Sequence, residues 1–194
     1  MSAPDLRAQS TAIGAGPQPR RMSAPPQCRP RRRTIAAGIL AVGLGLTSAF
    51  PPAPRLVWNA SSSTPRGLYA VSPGANIRTG DMVVARLTPA WEDFAAARRY
   101  LAAHVPLVKR VAAGPGDRVC AQGGKIFRNG VFLAGRLGRD RAGRTMPWWS
   151  GCLRLRSGQF LLLMAGNPAS FDGRYFGITS QQHVIGRATL LWAR

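Results

Sequence analysis

PLVKRVAAGPGDRVC, residues 106–120, reads as an apolar strand that runs into a turn. Pro106–Ala113 sets Leu107, Val108 and Val111 around one lysine, Lys109, and Gly114–Pro115–Gly116–Asp117 then breaks the run. The same rhythm recurs on both sides. Upstream, Gly67–Val71 precedes a turn at Ser72–Pro73–Gly74, and Gly80–Leu87 is another short strand. Downstream, Lys125–Gly135 reads as a hairpin around Asn129–Gly130, Gln159–Gly166 as a buried apolar run, and Val184–Ala193 as a closing strand. Only Pro89–His104, rich in Ala and Arg, reads as a helix; Arg136–Trp149 is polar and reads as an exposed loop. Short strands separated by turn signals predict a mainly β domain over residues 55–194 with one short helical insertion.

The chain ahead of that domain differs. Residues 1–33 are rich in Pro, Arg, Ser and Gln and cannot bury a core, so disorder is expected there. Residues 34–50, TIAAGILAVGLGLTSAF, carry no charge and sit between RPRRR (Arg29–Arg33) and the prolines Pro51, Pro52 and Pro54. As a helix this run spans about 26 Å, a short transmembrane anchor against a hydrocarbon core of about 30 Å. The arginines predict a cytoplasmic N-terminus, with the domain on the far side of the membrane. A cleaved signal peptide and a buried soluble helix are the rival readings. Met22 opens a second MSAP and is an alternative start. In an oxidising compartment Cys120 and Cys152 can pair, which leaves Cys28 reduced.

The net charge is +20. Residues 1–33 hold seven Arg and one Asp, +6; residues 51–194 hold twenty Lys or Arg and six acids, +14. Such a surface attracts anionic lipid or nucleic acid, but no zinc-finger spacing or basic zipper is present, so no specific nucleic-acid partner is expected. The positive charge is written almost wholly as Arg: 25 Arg against two Lys, Lys109 and Lys125. Arg stays protonated, whereas a desolvated Lys can give up its proton. His104 and His183 lack metal-ligand spacing and read as structural or surface residues; no metal or cofactor is expected.

WNASSSTPRGLY (Trp58–Tyr69) places small hydroxyl residues just beyond the anchor. Alone, it also fits a Ser/Thr linker. A serine nucleophile needs a base. No Ser–His–Asp arrangement offers itself, but Lys109 lies in an apolar strand where its pKa should fall towards the working pH.

Three motifs in order resemble the signal peptidase I superfamily, serine peptidase family S26, and within it the TraF-like peptidases of conjugative transfer. They are Asn59, Ser61, Ser63, Pro65, Gly67, Leu68 and Tyr69; then Pro106–Cys120; then MAGNPASFDGRYFG (Met164–Gly177). The resemblance covers roughly residues 34–194. It implies antiparallel, coiled, barrel-like sheets, with the site in a cleft beside an apolar surface near the membrane. It implies Ser63 as nucleophile and Lys109 as general base. The Ser61 hydroxyl and the Ser63 N–H would form the oxyanion hole. Ser170 and Asp172 would orient the lysine region, with Arg174 paired to Asp172.

The implied protein is a monomeric, single-pass protein of the bacterial inner membrane with a periplasmic catalytic domain. Its substrate is a pro-pilin or other preprotein of a conjugative transfer or type IV secretion system, released by water or joined into a ring. The alternatives are a general leader peptidase and a non-catalytic basic envelope scaffold. Two positions depart from the family wording: Gly173 stands where Ser is usual, which predicts a looser turn, and Gly177–Thr179 replaces a Gly-Pro.

Overall fold

The computed structural model describes residues 32–49 and 53–194. The expected disordered tail lies almost wholly outside these residues, as do Met22 and Cys28. The chain divides into two units, one ending at Pro51 and the other beginning at Pro52.

The first unit contains helix α1 (Arg32–Ala49), which covers most of the apolar run. Its large side chains are exposed, Ile39 at 70% and Leu40 at 64% among them. Among the described residues no helix is long and apolar enough to cross a membrane. Two arginines and three glycines lower the apolarity of these 18 residues.

The second unit is mainly β and antiparallel. Its strands are β1 (Leu56–Asn59), β2 (Gly67–Ser72), β3 (Met82–Ala85), β4 (Leu107–Ala113), β5 (Arg118–Gln122) and β6 (Lys125–Arg128). They continue as β7 (Val131–Gly135), β8 (Gly151–Arg154), β9 (Gln159–Leu162), β10 (Ile178–Ser180) and β11 (Val184–Ala193). Seven form one sheet in the order β1-β2-β11-β3-β4-β9-β10, and four form another, β7-β6-β5-β8. Each sheet keeps two edge strands. Helix α2 (Pro89–Ala97) crosses from β3 towards β4, and a single turn, α3 (Gly173–Phe176), leads into β10.

Strand β4 is central to the large sheet, paired with β3 and β9. Its alternation sends Leu107, Lys109 and Val111 to one face and Val108 to the other. Leu107 and Val111 join Val83, Phe160 and Leu162 in one core cluster, while Val108 packs with Tyr69, Val71 and Val84 in another. Both faces are therefore covered, and only Arg110 of this strand is exposed. In the small sheet, Cys120 and Cys152 are register partners across β5 and β8 and are joined by a disulfide.

Three expectations change. The helix predicted over Pro89–His104 stops at Ala97, because Arg99 and His104 take left-handed backbone angles (φ 58° and 62°) that end helical hydrogen bonding. The Arg136–Trp149 loop is not simply exposed: Arg136 and Met146 are buried, 7% and 6% accessible. Arg136 donates to the carbonyls of Trp149 and Gly123, which anchors the loop across the small sheet. Finally, no strand was expected ahead of Gly67, yet β1 pairs in register with β2 from Leu56↔Ala70 to Asn59↔Gly67.

Candidate active site

The β1–β2 connection, residues 60–66, carries Ser61 and Ser63, and one buried side chain shapes it. Asn59, the last residue of β1, donates from Nδ2 to Thr64 Oγ1 at 2.7 Å, to Pro65 O at 3.0 Å and to Ser61 O at 3.1 Å. Its Oδ1 accepts from the Ser61 N–H at 3.1 Å. The Tyr69 hydroxyl adds a bond to Pro65 O at 2.8 Å. These bonds fold the loop back on its own strand and leave Ser63 half-buried at the crest. Gly67 ends the loop because nothing larger fits. A Cβ there would lie 1.9 Å from the Trp192 carbonyl, where β11 bulges past β2.

Lys109 reaches this loop from β4. Its Nζ lies 2.5 Å from Ser63 Oγ and 3.1 Å from Ser170 Oγ. The side chain is 4% exposed. Burial is the main reason its pKa falls from the usual 10.5 to about 8. Asp172 pulls it up and Arg174 pushes it down. The two opposite charges offset one another, and the apolar surroundings decide the state of the amine.

Ser61 and Ser63 touch directly. Ser61 Oγ lies 2.9 Å from Ser63 Oγ and accepts the Ser63 N–H at 3.2 Å. Both groups expected to form the oxyanion hole thus stand beside Ser63 Oγ, bonded to each other. A carbonyl oxygen bound there would take over their hydrogens.

The Met164–Gly177 stretch forms the wall behind Lys109. Ser170 is 2% exposed, and Asp172 and Arg174 are both 0% exposed. Arg174 Nε meets Asp172 Oδ1 at 2.8 Å, and Nη2 meets Oδ2 at 3.1 Å. Asp172 also accepts the Arg174 and Met164 backbone N–H groups, so it caps α3 and ties it to the end of β9. The remaining Arg174 hydrogens go to the carbonyls of Met164, Pro168 and Gly135. The looser turn expected at Gly173 is corrected here. A Cβ at that position would lie 2.7 Å from Leu162 O and 2.8 Å from Leu161 Cδ1. Gly173 lets the turn press onto β9; it tightens the packing.

The structure brings Ser61, Ser63, Lys109 and Ser170 into direct contact, with Asp172 and Arg174 bracing them from behind. The Cys120–Cys152 bond lies in the other sheet. His104 and His183 do not line the cleft around Ser63. Asn59 and Asn167 lie within the first and third motifs without an expected role; Asn167 Nδ2 donates to Ser62 O at 3.3 Å and links the loop to the wall. The signal for both is an Asn beside small residues, where its side chain replaces backbone partners.

The site thus sets a serine hydroxyl against a buried amine on an antiparallel β frame. The chain belongs to the signal peptidase family, peptidase S26, whose family model matches residues 31–193, and it is by family a serine peptidase. A plasmid transfer protein TraF of Escherichia coli is 28% identical over 173 residues, covering 82% of this chain and 97% of that protein. A second Escherichia coli plasmid transfer protein TraF is 33% identical over 91 residues, covering 44% and 51%. Among solved structures, a signal peptidase I from Enterococcus faecalis matches 59% of this chain and 98% of its own, at 20% identity and a TM-score of 0.34.

Proposed function

We propose that the chain is a membrane-anchored serine endopeptidase in which Ser63 attacks the scissile carbonyl and Lys109 is the general base. The observation that carries this reading is the 2.5 Å approach of Ser63 Oγ to a buried amine whose pKa is lowered to about 8. A base of that strength is neutral in a useful fraction near neutral pH. Lys109 Nζ takes the Ser63 proton as Oγ adds to the carbonyl carbon. The Ser63 N–H and the Ser61 hydroxyl receive the oxyanion, each worth about 3–4 kcal/mol of transition-state stabilisation. Lys109 then returns the proton to the leaving amine. Ser170, bonded to Nζ, keeps the amine aimed at Ser63.

The acyl group on Ser63 is released by water or by an amine of the substrate itself, and the second route closes a ring. The relation to plasmid transfer proteins supports a pro-pilin or similar preprotein of a conjugative transfer system as substrate. A bilayer location is supported by the uncharged run of residues 34–50 behind the arginine cluster of residues 29–33, a short span of the kind a locally thinned bilayer accommodates. It is supported too by exposed apolar side chains on β1 and β11: Leu56 at 58%, Trp58 at 47%, Leu191 at 57% and Trp192 at 60%. Trp58 and Trp192 lie 5.8 Å apart, and Trp58 also lines the cleft, so an apolar surface borders the site. With the N-terminus cytoplasmic, the domain is periplasmic.

Mass spectrometry of a candidate pilin precursor, made beside the wild-type chain, Ser63→Ala or Lys109→Arg, tests the mechanism. Processing should be complete with the first and absent with the other two, since Arg keeps its proton. Continued processing by either variant sinks the Ser/Lys assignment.

A further inference from the structure

The cleft that holds Ser63 and Lys109 has a volume of about 710 Å³. Six arginines line it, Arg66, Arg98, Arg99, Arg139, Arg141 and Arg144, against one acid, Asp140. That acid is already engaged. Its Oδ2 accepts from the Tyr100 hydroxyl at 2.5 Å and from Arg144 Nε at 2.7 Å, and lies 3.7 Å from Arg98. The Tyr100 bond, followed by those from Arg144 and Ala142, holds the Asp140 carboxyl well below the usual range. It is charged, and Arg98 and Arg144 answer its charge. Arg139 is turned to the Gly143 carbonyl at 2.7 Å.

Three guanidiniums remain. Arg66, Arg99 and Arg141 are exposed, and among the described residues their side chains make no hydrogen bond or ion pair. They come from three separate segments: the end of the Ser63 loop, the turn after α2, and the Arg136–Trp149 loop. Proton transfer between Ser63 and Lys109 does not need them. Unopposed cations around a cleft with apolar walls repel one another and concentrate a positive field on whatever binds there. The walls include Leu107, Val108 and Met146, which suit a peptide chain. Tyr100 is engaged with Phe171 at 5.1 Å and with the Arg144 guanidinium at 5.7 Å, so it packs the wall and does not offer a free face to a nucleic-acid base.

We infer that the substrate segment this cleft binds is acidic. It carries carboxylates near the scissile bond, from Asp or Glu side chains or from the C-terminus of the chain, and Arg66, Arg99 and Arg141 receive them. This rests on the peptidase reading above and adds the chemistry of its substrate.

The test measures binding to the full-length Ser63→Ala chain in uncharged detergent, so that affinity is read without turnover. Three fluorescent peptides of one length are compared by anisotropy: a Glu-containing peptide with an amidated end, its Gln counterpart with an amidated end, and the Gln peptide with a free carboxylate. At about 20 mM salt at least one carboxylate-bearing peptide should bind roughly five- to tenfold tighter than the amidated Gln peptide, with the gap closing by about 0.5 M. Which of the two gains identifies the source of the carboxylate. Arg99→Gln combined with Arg141→Gln should remove most of the gap. Arg154→Gln combined with Arg156→Gln removes the same charge at exposed positions outside the cleft and should leave the gap in place.

Equal binding of all three peptides overturns the inference. So does a control pair that erases the gap as fully as the cleft pair, which would make it an effect of overall charge. Single-stranded DNA that displaces the acidic peptide at lower concentration than the unlabelled peptide does would assign the cleft to nucleic acid instead. Cleavage of the same peptides by the wild-type chain is scored separately. Selective binding without cleavage would count against the peptidase reading and leave only the acidic preference of the cleft, so the two failures are told apart.

Discussion

Arg174 and Lys109 are both cations buried under the influence of one carboxylate, Asp172, and the two are treated in opposite ways. Arg174 is 0% exposed, and its fork is matched by Asp172 and three backbone carbonyls. Lys109 is 4% exposed, and its amine meets only two neutral hydroxyls, those of Ser63 and Ser170. A cation whose hydrogens all face acceptors, with a carboxylate among them, stays charged and holds structure. A cation given only hydroxyls in an apolar setting is poorly stabilised and can release its proton. One turn of chain supplies both environments: Asp172 spends its oxygens on Arg174 and on backbone N–H groups, and Ser170, two residues earlier, faces the lysine.

Breaking the matched pair should have the largest effect on the fold. Asp172→Ala leaves Arg174 buried without its partner and should cost about 3–5 kcal/mol in urea unfolding. A loss below about 1 kcal/mol would mean that the pair does not brace the site.

The lysine should respond in the other direction. Its folded pKa, about 8, lies below the ordinary 10.5. Between those values the unfolded chain binds more protons, so stability rises with pH across that window, and below pH 8 the full burial penalty stands. Lys109→Met should therefore abolish processing and yet stabilise the fold by about 1–3 kcal/mol at pH 7, a gain that fades towards pH 10.5. Destabilisation at pH 7 would show that the amine is well accommodated as a cation. The smallest change concerns the turn between them. Gly173→Ala pushes a Cβ into Leu162 O and should cost about 1–2 kcal/mol, visible as a lowered unfolding midpoint. No loss there would mean that the turn is looser than its contacts indicate.

Much of this contrast was legible in the sequence, for reasons that particular residues make plain. Lys109 stood out because Leu107, Val108 and Val111 surround it in a chain that otherwise writes its charge as Arg. The hairpin at Asn129–Gly130 and the long β11 followed from turn residues and apolar runs. Strand β1 did not, since Leu56–Asn59 is only four residues long and runs into a serine-rich loop whose composition looks like a linker. The end of α2 was hidden because Arg and Ala favour helix up to His104, whereas Arg99 and His104 take left-handed backbone angles that their residue types do not announce. The buried Arg136 was hidden as well: its acceptors, Gly123 O and Trp149 O, are backbone atoms that no side-chain pattern announces. Gly173 misled for a similar reason, because the wall it presses against is the backbone of β9.

Lys109 can serve Ser63 only as a weak cation, one that gives up its proton near neutral pH. With two lysines in the chain, a side-chain amine NMR titration is readily assigned by comparison with Lys125→Arg. The Lys109 amine should titrate near pH 8. A midpoint near the ordinary 10.5 would contradict that role, because a lysine that firmly protonated cannot take the proton from Ser63.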